Sequence, residues 1–308
     1  MFKKILFATT ASPTCDHAAK VAFDLANKYG SKLYVFHVYG IPTRGFSAFA
    51  TDVRTGDQEN FNADYTEWVK EEMKNTYAVQ LAKTKNCTVE TRAGVPYTEI
   101  LRFARQEEVD LIIMGAHTRE DEIGATRFRS IVGSTMQRVA KSARAPVLII
   151  SRPCANCFWY FSNIVFGADF SKASMYAFLF ALKVAKEIGC KLYLFHALDL
   201  NRSSAGKVDG QEEIEMQIAT ARKRIEEMYV SQMDGFDNYE IEIWEGIPYV
   251  EILKYAREKK ADLIAMAHHT RNVDPEEAVL GSTVEQVVLR AASPVASVNH
   301  PARTDETL

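Results

Sequence analysis

Short apolar runs bounded by polar turns recur along the whole chain, and helical periods lie between them. Runs of this length and composition are typical of buried parallel strands. Four such runs in the first half have four counterparts in the second half. The predicted strands are residues 5–9, 33–38, 111–114 and 147–150, followed by residues 164–168, 192–197, 263–266 and 295–298.

Helical patterns fill the intervals between these strands. Gly30 and Gly189 stand where the first helix of each half should end before the next strand. A middle helix is predicted over about residues 61–83 and again over residues 211–233. Pro96 and Pro248 stand near the first turn of a third helix. Alternation of strands and helices predicts a doubly wound parallel sheet with right-handed crossovers.

The two halves of the chain are copies of one another. Residues 32–37 read KLYVFH and residues 191–196 read KLYLFH, while GVPYTEIL at residues 94–101 matches GIPYVEIL at residues 246–253. Because further matches follow in the same order, chance is excluded and the chain is a tandem duplication. We predict two α/β domains, residues 1–152 and residues 153–302.

The net charge and the length of the apolar runs limit the kinds of partner that we expect for this chain. The formal net charge is −3, whereas a nucleic-acid-binding protein normally has a basic surplus. No apolar run approaches the roughly 20 residues needed to span a bilayer, and we predict a cytoplasmic protein without a membrane or nucleic-acid partner. Cys154 and Cys157 form a C-x-x-C in the linker of residues 151–162; free thiols are the simpler interpretation, and a metal or redox role is the alternative.

Candidate ligand residues follow the predicted strands, because open α/β sheets bind ligands beyond the carboxyl ends of their strands. Gly-Ser-Thr also opens the last helix of each half, where free backbone N–H groups could hold a phosphate. Simple N-capping by the same hydroxyls is the alternative. The candidates are Thr10, Ser12, Val38, Gly115, Thr118, Arg119, Gly133, Ser134 and Thr135 in the first half, and Asp169, Ser171, Thr270, Gly281, Ser282 and Thr283 in the second.

We interpret the histidines as structural residues in preference to catalytic ones. His37 and His196 end equivalent buried strands, which favours a hydrogen-bonded structural role. His117, His268 and His269 lie in the loops after the fourth strands, where shaping of the loop or phosphate contact ranks above metal binding. We predict no catalytic residue and no metal-binding residue.

This arrangement resembles the universal stress protein family over nearly the whole chain, twice. Nucleotide-binding members carry G-x2-G-x9-G-[S/T] ahead of the last helix and an Asp just after the first strand. In the first half Gly115 matches the first motif glycine, but Thr118 replaces the second and Thr10 holds the Asp position. In the second half Asp169 is present, but Ala267 and Thr270 replace both loop glycines.

The resemblance implies a non-catalytic stress-response protein that binds ATP or another adenine nucleotide weakly in one domain, and we expect the first domain to hold the phosphates. A degenerate scaffold for an unknown protein partner and a weak ATP hydrolase are the alternatives. The resemblance also implies that the last strands, residues 147–150 and 295–298, pair as an intramolecular pseudo-dimer, with a dimer of the tandem chain beyond it. Residues 40–60 are predicted to form a mobile loop near the first pocket.

Overall fold

The computed structural model describes residues 1–40, 49–51, 58–60, 63–116, 134–152, 162–199, 210–267 and 282–300. The strands are β1 Lys4–Ala8, β2 Lys32–Gly40, β3 Phe49–Thr51, β4 Gln58–Asn60, β5 Cys87–Gly94, β6 Leu111–Gly115, β7 Val147–Ile150, β8 Asn163–Gly167, β9 Lys191–Leu198, β10 Tyr239–Glu245, β11 Leu263–Met266 and β12 Val295–Ser297. The helices are α1 Asp16–Tyr29, α2 Ala63–Thr76, α3 Ala78–Lys83, α4 Pro96–Gln106, α5 Ser134–Ser142, α6 Lys172–Ile188, α7 Gln211–Met228, α8 Pro248–Glu258 and α9 Ser282–Arg290. Short 3-10 helices cover Pro13–Cys15 and Val230–Gln232.

The first of two compact units contains residues 2–139. Its parallel sheet has the order β6-β1-β2-β5, with β3 and β4 as a separate antiparallel pair. The chain runs from β1 through β2 to β5 on one side of β1 and then returns to β6 on the other side. The strand order therefore reverses between β1 and β6, where a doubly wound sheet opens a crevice for ligands.

The second unit contains residues 140–308 together with Met1. Its strands have the order β10-β9-β8-β11-β12-β7, in which β8 to β12 are parallel and β7 is antiparallel to β12. The predicted pairing of the last strands is thus present, with Leu148 opposite Ala296. The amide of Asn299 also donates to the carbonyl of Ala140 at 2.7 Å. A domain boundary after residue 152 stays a prediction.

The predicted helix ends agree with the structure. Gly30 and Gly189 cap α1 and α6 in the left-handed conformation, with φ of 65° and 77°. Pro96 and Pro248 are the first residues of α4 and α8. Among the described residues, the helices are too short or too polar for any of them to cross a membrane.

The middle helices are broken where the sequence pattern predicts continuous ones. In the first unit α2 ends at Thr76 and α3 begins at Ala78, and in the second unit α7 ends at Met228 before a 3-10 turn. A tyrosine occupies each break, Tyr77 and Tyr229, and both side chains are buried. Each hydroxyl reaches a partner far away in sequence, so tertiary hydrogen bonds accompany both breaks.

Four strands lack the apolar runs that predict the others: the short β3 and β4, inside the segment of residues 40–60 predicted as a loop, and the longer β5 and β10. β5 reads CTVETRAG and β10 reads YEIEIWE, and each is the outer strand of its parallel array. An outer strand is less completely buried than an inner one, so its residues alternate between polar and apolar. That alternation was the signal that could have identified them.

Candidate functional site

The carboxyl ends of β1, β2 and β6 meet at one edge of the first sheet. In the strand register, Ala8 at the end of β1 lies opposite Phe36 of β2 and Met114 of β6. The residues that follow Ala8 and Met114 therefore leave the sheet side by side, while β2 continues to Gly40, paired with β5. The structure brings four of the predicted ligand residues to this edge: Thr10, Ser12, Val38 and Gly115.

One side-chain contact joins α5 to the first turn of α4. The guanidinium carbon of Arg138, in the middle of α5, lies 4.6 Å from the ring centre of Tyr97 in the first turn of α4. Because α4 begins directly after β5 ends, this contact lies on the carboxyl side of β5. Ser134 is the first residue of α5, and Thr135 follows it with a half-buried side chain.

Hydrogen bonds shape the loop after β1. The Thr9 hydroxyl lies 2.7 Å from the Tyr77 hydroxyl and accepts the backbone N–H of Ala11 at 3.0 Å. Burial raises the pKa of Tyr77 to about 12, so this phenol stays protonated at neutral pH. Thr10 is exposed, and its hydroxyl contacts that of Ser12 at 2.8 Å. The loop thus presents two hydroxyls where the equivalent loop of the second unit has the carboxylate of Asp169.

The equivalent loop of the second unit is built around Asp169. Its carboxylate accepts the backbone N–H of Ser171 at 2.8 Å, and its own N–H donates to the Ser174 hydroxyl at 3.3 Å. Ser171 in turn caps α6 by accepting the N–H of Ser174 at 3.0 Å. Tyr229 completes the network by donating to Ser174 at 3.0 Å. Asp169 is exposed, and its carboxylate is held by the N–H of Ser171.

The second site lies at the matching edge of its own sheet. Gly167 at the end of β8 is opposite Phe195 of β9 and Met266 of β11. Ala267, which replaces the motif glycine, follows β11 and is buried, whereas Gly115 in the first unit is half-buried. Ser282 is the first residue of α9, and Thr283 follows it, half-buried.

Several predicted residues lie outside the part of the chain that the structure describes. They are the ligand candidates Thr118, Arg119, Gly133, Thr270 and Gly281, the histidines His117, His268 and His269, and the linker cysteines Cys154 and Cys157. The predicted loop of residues 40–60 also falls mostly outside the described ranges. Within those ranges, no group of three or more His, Cys, Asp or Glu side chains is arranged to hold a metal ion.

The hydrogen bonds predicted for the two strand-end histidines are present. The Nδ1 atom of His37 lies 2.9 Å from the carbonyl oxygen of Thr9, and that of His196 lies 2.8 Å from the carbonyl oxygen of Ala168. Since a carbonyl oxygen can only accept a hydrogen bond, Nδ1 carries the proton in the neutral ring. Nε2 is then unprotonated and can accept a hydrogen bond. Burial lowers the pKa of both histidines below the ordinary value of 6.5, although these hydrogen bonds oppose the shift.

The lowered pKa values predict a pH dependence of stability. As pH falls, His37 and His196 become protonated at a higher pH in the unfolded chain than in the folded chain. The free energy of unfolding should therefore fall as pH drops through 6.5. Urea unfolding at pH 7.5, 6.5 and 5.5 measures this slope. The double variant His37→Gln, His196→Gln should have a flatter slope over this window, and an unchanged slope would contradict the assignment.

Comparison with known proteins adds the family. The sequence model of the Universal stress protein family matches residues 1–151 and again residues 161–299. A universal stress protein of Methanocaldococcus jannaschii is 29% identical over 154 residues, which cover 50% of this chain and 84% of that protein. A second one from the same organism is 28% identical over 162 residues, covering 49% of this chain and 96% of its own.

Solved structures extend the likeness to the tandem arrangement. The structure of a universal stress protein from Archaeoglobus fulgidus covers 98% of this chain and 97% of its own, at 24% identity and a TM-score of 0.67. A protein of unknown function from Pseudomonas aeruginosa covers 98% of this chain and 93% of its own, at 18% identity and a TM-score of 0.62. At these identities the likeness concerns the fold.

Proposed function

Because the chain belongs to the universal stress protein family, we propose that it is a non-catalytic stress-response protein whose first domain binds the phosphates of an adenine nucleotide such as ATP. The observation that carries this proposal is the strand register around β1. It sets Gly115 next to the Thr9–Ser12 loop at the point where the strand order reverses. In this proposal the start of α5 supplies the phosphates with backbone N–H groups and the positive end of a helix dipole.

Gly115 matters because phosphate binding requires close approach of the backbone. A Cβ at this position would stand where the phosphate has to lie. The first domain keeps the glycine, whereas the second has the buried Ala267. We therefore assign the phosphates to the first domain, with Mg²⁺ as the counter-ion that the nucleotide brings. Gly133, Ser134, Thr135 and Arg119 complete the proposed phosphate contacts, and Thr118 replaces the second motif glycine.

One observation favours the second domain as an alternative site. The Asp169 carboxylate is exposed and oriented by the Ser171 N–H, as recognition of a nucleoside hydroxyl or amino group requires. In this alternative the nucleoside, rather than the phosphates, would determine where the ligand binds. Ser282 and Thr283 at the start of α9, with Gly281 and Thr270 before it, would then contact the phosphates.

The test compares Ser134→Ala with its matched control Ser282→Ala in the full chain. Loss of one hydrogen bond to a charged group costs about 1.5–3 kcal/mol, which corresponds to roughly a tenfold to hundredfold weaker affinity. We expect Ser134→Ala to weaken ATP binding by that factor and Ser282→Ala to leave it unchanged, as measured by isothermal titration. The reverse result supports the second domain. Absence of ATP, ADP and AMP binding to the unaltered chain supports a protein scaffold, and steady release of phosphate supports a hydrolase.

A further inference from the structure

Trp68 is a bulky aromatic residue on the surface of the first unit. It lies near the start of α2, and 60% of its surface is exposed. Its ring centre is 5.9 Å from that of Tyr65, which lies 5.5 Å from the ring centre of Tyr39 near the end of β2. An exposed indole that continues into two further aromatic rings is typical of a surface that binds another protein.

The second unit shows that the fold does not require these rings. The middle helices of the two units align through Tyr77 and Tyr229, the buried tyrosines at their breaks. In this alignment buried side chains correspond to one another: Val69 to Ala221, and Met73 to Ile225. The polar residues Gln217 and Thr220 stand at the positions of Tyr65 and Trp68. Packing of the helix against its sheet therefore leaves the identity of these exposed residues free.

Trp68 also differs from other aromatic residues in lacking a cation over its ring. The Nζ atom of Lys254 lies 4.9 Å from the ring centre of Trp244, and that of Lys32 lies 4.6 Å from the ring centre of Tyr34. No Lys or Arg within the described ranges lies over Trp68 in this way. Since the face of an indole attracts cations, the exposed face of Trp68 can accept one from another molecule.

Acidic side chains flank this indole. Glu71 and Glu72 follow Trp68 by three and four positions, which places them on the same face of α2, and both are exposed. Glu71 forms an exposed ion pair with Lys74, so one of the two carboxylates is partly neutralised. Lys70 follows Trp68 by two positions and lies away from this face. The face around Trp68 is therefore aromatic and acidic, which complements a basic partner.

The corresponding positions of the second unit carry the opposite charge. Lys223 and Arg224 replace the two glutamates, but both are already engaged within their own unit. Lys223 lies 3.7 Å from the carboxylate of Glu227, and the guanidinium carbon of Arg224 lies 4.5 Å from the ring centre of Phe170. These contacts favour a different protein, rather than a second copy of this chain, as the source of the cation.

We propose that the exposed face of α2 around Trp68 binds a basic segment of a partner protein, with an arginine side chain over the indole and Glu71 and Glu72 as its counter-charges. Arginine fits this face better than lysine, because its planar guanidinium stacks on an aromatic ring while its N–H groups donate to carboxylates. The proposal does not depend on nucleotide binding, since the surface lies on the outside of α2.

The variant Trp68→Thr tests this surface, because it gives α2 the residue that the second unit has. Isothermal titration with the peptide acetyl-hexaarginine amide measures the affinity. We expect Trp68→Thr to weaken binding by about threefold to thirtyfold, the range of a lost cation–π contact. The matched control is Met216→Thr on α7, where a residue that is 67% exposed is truncated on the other middle helix and the affinity should stay the same.

The double variant Glu71→Lys, Glu72→Arg tests the charges while the indole is kept. Its affinity for the same peptide should fall by about fivefold or more at low salt. The difference from the unaltered chain should shrink as the salt concentration rises, because exposed charges are screened. An affinity equal to that of the unaltered chain at low salt would contradict the role of the glutamates.

NMR locates the peptide on the unaltered chain without any change to the fold. The indole N–H resonance that is absent from Trp68→Thr should shift during the titration. That of Trp244 should not shift, because its N–H donates to Glu242 at 3.2 Å and Lys254 covers its ring. No binding of hexaarginine, equal affinity in Trp68→Thr, or a decaproline peptide that shifts the Trp68 resonance when hexaarginine does not would overturn the proposal. Self-association of the unaltered chain that Trp68→Thr abolishes in sedimentation equilibrium would overturn it in favour of a second copy.

Discussion

Replacing Gly94 by alanine should lower the free energy of unfolding by ~2–5 kcal/mol. Gly94 ends β5 with a φ of +153°, and an added Cβ would lie 2.8 Å from the Cγ atom of Glu99. Glu99 is itself buried at the start of α4, so its side chain has little freedom to move away. Backbone strain and overpacking therefore act together at this position.

The same close approach of a glutamate side chain to a glycine recurs in the second unit. Gly246 has a φ of +138°, and an added Cβ would lie 2.9 Å from the Cγ atom of Glu251. Gly246→Ala should therefore cost about as much as Gly94→Ala. The matched control is Gly30→Ala, where φ is +65° and an added Cβ meets no atom within 4 Å. For Gly30→Ala, the backbone strain of a left-handed alanine alone should lower the free energy of unfolding by about 1–2 kcal/mol. Urea unfolding measures all three variants, and a loss for Gly94→Ala no larger than for Gly30→Ala would contradict the role of Glu99.

Leu148→Ala should destabilise the second unit by about 2–5 kcal/mol, the usual range for a leucine removed from a packed core. Leu148 is only 1% exposed, and it lies opposite Ala296 in the antiparallel pair of β7 and β12. Loss of its side chain leaves a cavity beside β12, a strand of three residues. Urea unfolding should show the loss, and hydrogen exchange of the β12 amides should accelerate.

Val79→Ala is the control for this second prediction. Val79 is an apolar residue on α3 that is 66% exposed, so its truncation should change stability by no more than about 0.5 kcal/mol. If Leu148→Ala costs no more than Val79→Ala and leaves exchange in β12 unchanged, then β7 does not stabilise the second unit in the way the strand pairing indicates.

The duplication, the eight apolar strands and the ends of several helices follow from the amino-acid sequence alone. These features depend on local chemistry. Apolar runs identify strands that are buried on both faces, Gly30 permits the left-handed cap that ends α1, and Pro96 lacks only an N–H that the first turn of a helix does not use. The structural role of His37 was also predictable, because its position at the end of a buried strand recurs in the second half.

Features that depend on residues distant in sequence became visible only in the folded chain. Tyr77 fits a continuous helical pattern, and its hydrogen-bond partner Thr9 is 68 residues away, so no local signal marks the break between α2 and α3. The outer strand β5 alternates polar and apolar residues, so it lacks the continuous apolar run that marks the inner strands. The conserved spacing between Gly94 and Glu99 was visible as a repeat, but its cause, the close approach of the Glu99 side chain, exists only in the folded chain.

At the candidate site, too, some features are visible in the sequence and others only in the folded chain. The sequence identified Thr10, Gly115 and Asp169 as candidates, because ligands bind beyond the ends of parallel strands. The Phe170 ring lies over a histidine from another strand, and such a contact depends on how β8 and β9 pair. Side-chain identity is local, whereas the space that a side chain fills is set by the packing of the whole unit.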